Sequence, residues 1–152
     1  MHTTDFAHLD LIDAWYEHDP AMRIRVTFPF FAATGTEQSA VVYFEIDPGH
    51  ELGTHTDSAE EIVLILAGTV EASLGEERGS LSAGQAALIP AMAPHGIRNI
   101  GDETARCVGF FAAAEVVSTF DHPMMPFGQQ VVGTPPVAAP THELSTASAT
   151  PR

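Results

Sequence analysis

The chain is short of positive charge: its 152 residues carry 6 basic and 20 acidic side chains, for a formal net charge of −14. That balance argues against nucleic acid and anionic membranes as partners, because both are bound by a basic face. It also has a single cysteine, Cys107. One thiol cannot form an internal disulfide, so the fold does not depend on oxidation and a reducing cytoplasm fits. Cys107 stands in the apolar run RCVGFF and reads as a buried core thiol rather than a nucleophile. Long hydrophobic runs are missing too. The longest, IVLILAGTV, is far too short to span a bilayer. The N-terminal MHTTDFAHLD has neither a positive side chain nor an apolar segment, which argues against a signal peptide.

What is present suits one globular domain with a real core, since 45% of residues are hydrophobic. In residues 5–18, Phe6, Leu9, Ile12 and Trp15/Tyr16 recur at helical spacing behind the candidate caps Thr3, Thr4 and Asp5. The spacing predicts a short N-terminal helix, ended by Asp19-Pro20. Beyond it the chain changes character. RIRVTFPFF, SAVVYFEI, EIVLILAG, VEASLG, AALIP, HGIRNI and RCVGFFAAAEVV are short and rich in Val, Ile and Phe. The turn signals ATGTE, DPGH, GEERG, SAGQ and NIGDE separate them. Seven or eight strands at this spacing indicate an all-β sandwich or barrel. No run between them is long and periodic enough for a crossover helix. Residues 121–128, DHPMMPFG, are apolar but broken by prolines, as a flap over a barrel mouth would be. From Gly133 the composition shifts to Pro, Ala, Thr and Ser, which predicts a domain over 1–132 and a mobile tail over 133–152.

The chemistry concentrates in GHELGTHTDSAEEIVLILAG, residues 49–68. On a strand, His55 and Asp57 point to the same face. A turn through Ser58 and Ala59 brings Glu61 onto the neighbouring strand. Imidazole nitrogen with carboxylate oxygen suits a divalent transition metal; the bland alternative is a solvated loop. A second stretch, GQAALIPAMAPHGIRN, residues 84–99, adds His95.

Together the two stretches resemble the cupin superfamily. Gly49, His55, Glu61 and Gly68 fall on the spacing of that family's first motif, and Gly84, Pro90, His95 and Asn99 on that of its second. Fifteen residues separate the motifs, and the likeness covers roughly residues 40–112. Two positions depart. Asp57 stands where the first motif has a second histidine, and Met92 where the second motif has a glycine. Methionine avoids positive φ, so the second departure bears on the turn.

The resemblance implies a double-stranded β-helix, or jelly-roll barrel. One divalent metal would be held inside it by His55, Glu61 and His95. Asp57 would be a fourth ligand or would hold a metal-bound water; direct ligation is the favoured expectation. Iron(II) suits the set, with manganese, nickel or zinc as alternatives. Parity carries Val63, Ile65, Ile97 and Asn99 inward with the site, so the interior is mostly aliphatic and suits a small organic substrate. His50 and Glu60 have the opposite parity. His2, His8, His18, His122 and His142 have no partner at ligand spacing. The expected activity is that of an oxidoreductase of the dioxygenase type using O₂. An isomerase or lyase, or a non-catalytic binding module, is the alternative. A homodimer is expected through the apolar RIRVTFPFF segment.

Overall fold

The computed structural model describes residues 1–134. Twelve strands make one continuous sheet that curls into a nearly closed barrel. In chain order they are β1 (Ile12–Tyr16), β2 (Asp19–Phe30), β3 (Ala40–Ile46), β4 (Glu51–Asp57), β5 (Glu61–Ala67) and β6 (Thr69–Leu74). There follow β7 (Glu77–Ser82), β8 (Ala86–Ile89), β9 (His95–Asn99), β10 (Ala105–Phe111), β11 (Val117–Met124) and β12 (Gln129–Gly133). The spatial order is β7-β6-β9-β4-β2-β3-β10-β5-β8, with β1 on β2, and β11 between β4 and β12. Apart from the parallel contact of β2 with β4 at Met22 and Glu51, the pairings are antiparallel.

Alternation sets which side chains enter the barrel. Along β5, Glu61, Val63 and Ile65 are buried while Ile62 and Leu66 are exposed. Phe44 from β3, Cys107 from β10, Val70 from β6 and Ile97 from β9 join them in a single core. Burial pushes the Cys107 thiol up to about 12, with the Glu61 charge adding to it, so it is an inert core group. Asn99 is buried. Its amide donates to the carbonyls of Ile46 and Glu103 at 2.8 Å, and its oxygen accepts from Gly101 N–H at 2.8 Å. It ties the ends of β9 and β3 to the loop before β10. Gly68 lies at φ +82°, where a Cβ would stand 2.9 Å from Ala105 Cα. Only glycine fits that turn.

The expected N-terminal helix is absent. Asp5 does accept the N–H of Ala7 at 2.9 Å, yet this caps a single turn. Phe6 then packs on Tyr43, with ring centroids 5.6 Å apart. Residues 12–16 form β1, because Ala14 and Tyr16 bury one face against β2 while Asp13 stays exposed. Ile12, Trp15 and Tyr16 fit a helical spacing while Ile12, Ala14 and Tyr16 fit an alternating one, and pairing with β2 decides between them. The GEERG stretch is likewise more than a turn. Only Gly75 and Glu76 turn; Glu77–Ser82 is β7, a mostly exposed, charged edge strand.

Tail and flap sit differently. Gly133 ends β12, and Thr134 Oγ1 accepts the N–H of Val116 at 2.8 Å. The rest of the expected tail, 135–152, lies outside the described residues. The DHPMM segment belongs to β11 and the bend after it. Trp15 and Met125 exchange backbone hydrogen bonds at 3.1 and 2.8 Å, tying it to β1.

Candidate metal centre

Four buried polar side chains converge inside the barrel. His55 and Asp57 project from β4 on one face, Glu61 opens β5, and His95 opens β9 directly opposite His55 in the β4–β9 register. Their fractional exposures are 6, 3, 4 and 2%. Asp57 Oδ2 lies 3.5 Å from His55 Nε2 and 3.2 Å from His95 Nε2. Glu61 Oε2 lies 3.6 Å from His95 Nε2. One ligand atom from each of His55, Asp57 and His95 falls within 4.8 Å of the others.

Backbone carbonyls fix both rings. Gly53 C=O accepts from His55 Nδ1 at 2.9 Å, and Ala93 C=O accepts from His95 Nδ1 at 2.8 Å. With the proton held on Nδ1, each Nε2 presents its lone pair to the centre. His95 Nε2 is buried and, despite its nearness to Asp57, has no hydrogen-bond partner of correct direction. Ligand atoms of His55, Asp57 and His95 therefore cluster while His95 Nε2 stays without a hydrogen bond. That geometry and this nitrogen–oxygen set fit a divalent cation.

Charge in the cluster is one-sided. Burial works to raise Asp57, but His55, His95 and Ser118 outweigh it and hold the carboxyl well below its usual range. Burial raises Glu61, opposed only in part by His95. Burial would lower His95, yet Asp57 and Glu61 push it up to about 10. Two buried carboxylates thus call for positive charge, supplied by a proton on His95 or by a metal ion.

Three residues missed in the sequence complete the site. Ser118, from β11, donates its hydroxyl to Asp57 Oδ1 and leaves Oδ2 to face the imidazoles. Phe120, two residues on, stacks on His55 at 4.9 Å and 20°. Gly109 on β10 leaves room for Glu61: a Cβ there would stand 2.0 Å from Glu61 Oε1. Only Gly109 left a signal, an isolated glycine inside an apolar strand, which marks a close approach.

Met92 does adopt the left-handed conformation, at φ 63°, and its side chain is exposed. Its N–H donates to Asp57 C=O at 2.8 Å, so the turn before β9 is tied to β4 at the site. His50 lies on the β3–β4 turn, and Glu60 is exposed, as parity indicates. His2, His8, His18 and His122 are exposed, and His142 lies outside the described residues. His122 meets the edge of Tyr16 at 5.4 Å rather than the site.

The description of one protein family, the cupin domain, matches residues 42–111, a span that includes both motifs and the cluster. The chain belongs to the cupin superfamily. Solved structures agree on the fold. A proposed sugar phosphate isomerase from Acidithiobacillus ferrooxidans superposes with a TM-score of 0.59 at 22% identity, over 74% of each chain. The polyketide cyclase RemF from Streptomyces resistomycificus gives 0.59 at 18% identity, over 73% of this chain and 78% of that one. Lactobacillus farciminis oxalate decarboxylase gives 0.58 at 21% identity. There the cupin covers 68% of its own length and only 31% of the decarboxylase. No curated protein matches the chain significantly.

The cluster of this cupin opens on a cavity of about 310 Å³. Val42, Leu52, Val63 and Ile97 line its walls. Ile12 and Ala14 of β1, Phe120 and Met124 of β11, and Val132 of β12 also line it. Ile65, although inward and buried, packs in the core and does not reach it. Among the described residues, no helix is long and apolar enough to cross a membrane.

Proposed function

We propose that this cupin is a metal-dependent enzyme, an oxidoreductase of the dioxygenase type acting on a small organic molecule. His55, Asp57, Glu61 and His95 would hold the ion, iron(II) being the best match to two imidazoles and two carboxylates. One observation carries the reading: the buried His95 Nε2 has no hydrogen-bond partner and points, with three other donor groups, at the end of an apolar cavity. A bound ion would supply charge stabilisation and adjacent positions for substrate and O₂.

The chain's own residues do the rest. Gly53 and Ala93 carbonyls hold the imidazoles in the ligating tautomer. Ser118 orients Asp57, and Phe120 braces the His55 ring. The apolar wall excludes water and positions the substrate. We further propose a homodimer in the cytoplasm; β2 is flanked by β1 and β3 over Arg25–Val26, so an apolar contact through this segment would use its end around Phe30.

Metal analysis of protein purified without added metal tests the reading. A stoichiometric redox metal, lost in His95→Ala while the fold survives, is the expected result. Full occupancy in His95→Ala would remove the site. Oxygen uptake with substrate separates the dioxygenase from an isomerase or lyase using the same residues.

A further inference from the structure

The composition of the cavity says what kind of molecule it takes. Phe28, Phe31, Phe44, Phe111, Phe120 and Phe127 all line it, six of the nine phenylalanines in the chain. They come from β2, β3, β10, β11 and the segments beside them, so rings face the space from several sides. Among the described residues, no lysine or arginine lines the cavity. Its polar side chains are the four-residue cluster, Ser118 beside Asp57, and the hydroxyls of Thr27 and Thr134. The volume, about 310 Å³, is at the small end of ligand sites.

Charge then discriminates. Asp57 and Glu61 already bring two carboxylates into this space, enough to offset a divalent ion. A dicarboxylate or a phosphate ester would add negative charge that no cationic side chain of the lining meets, at a high desolvation cost. A flat ring body meets the opposite situation. Each phenyl face or edge offers stacking and burial to an aromatic ligand. We infer that the cavity selects a neutral, aromatic-bodied molecule carrying phenol or enol oxygens, and rejects small dicarboxylates and sugar phosphates. The oxygen end of this ligand rests on the metal reading above; the ring-body selectivity rests on the lining alone.

Isothermal titration calorimetry on the full chain tests it, with zinc content measured on the same samples. The probes are naphthalene-2,3-diol, oxalate and fructose 6-phosphate, against zinc-loaded and metal-free protein. The diol should bind the loaded protein at least tenfold tighter than either anion. Phe28→Ala should weaken the diol about tenfold while zinc content stays unchanged. If the protein takes up no zinc but still prefers the diol, the metal reading fails and the cavity selectivity stands. If zinc binds and oxalate or fructose 6-phosphate binds as tightly as the diol, the selectivity is wrong and the metal reading is untouched.

Discussion

Asp57 shows how far a single residue could be read. Its place two residues beyond His55 on a strand gave the shared face directly, since alternation is a property of the backbone. Its two oxygens are used differently. Oδ2 faces both imidazoles, while Oδ1 accepts from Ser118. Ser118 is 61 residues away in sequence, and nothing local in VVSTF marks it as part of a polar centre. Long-range pairing of β11 with β4, Ser118 opposite Asp57, puts it there. Such an orienting partner governs how well a ligand is held. Ser118→Ala should therefore lower zinc affinity by roughly 10–100-fold. Metal-free stability should fall by about 1.5–3 kcal/mol, the usual worth of a hydrogen bond to a charged group. Competitive zinc titration and urea unfolding would measure the two. Unchanged affinity would mean that Asp57 needs no second partner.

At the scale of the element, strands rich in apolar residues announced themselves, and polar or proline-containing ones did not. EIVLILAG and RCVGFF are Val-, Ile- and Phe-rich, and they became β5 and β10. β7 is charged and β11 contains a proline, so neither carries an apolar signal of its own. They are strands because a neighbour supplies hydrogen bonds. β1 failed for a related reason, its apolar spacing being compatible with either period. Where β5 and β10 meet, Gly109 pairs with Val63, and Glu61 lies along the β10 backbone. A Cβ at Gly109 would also come 2.7 Å from Val42 Cγ1. Gly109→Ala must displace the Glu61 carboxylate or spread the strands. It should cost about 1–3 kcal/mol, as overpacking does, and reduce zinc binding as Glu61→Ala should. Denaturant unfolding with zinc analysis checks both. Normal zinc binding in Gly109→Ala would show that the site does not depend on Glu61 remaining against β10.

For the molecule as a whole, a proton and the proposed metal ion would be alternative ways to balance the same buried charge. In the metal-free protein, burial opposes a charged His95, but Asp57 and Glu61 outweigh it and raise the imidazole to about 10. A group raised on folding stabilises fully below its unfolded pKa, about 6.5 for histidine. That contribution shrinks as pH rises from there and is lost beyond about 10. Metal-free protein should therefore lose melting temperature between pH 7 and 9. A bound ion needs the imidazole unprotonated, so loading at neutral pH must expel the His95 proton, and affinity should rise by up to tenfold per pH unit in this range. Binding only to the folded chain also adds stability through mass action. The expected outcome is two diverging curves, the metal-free melting temperature falling with pH and the zinc-loaded one holding or rising. Thermal melts in matched buffers, with and without zinc, would trace them. Parallel curves would mean that His95 does not exchange its proton for the ion.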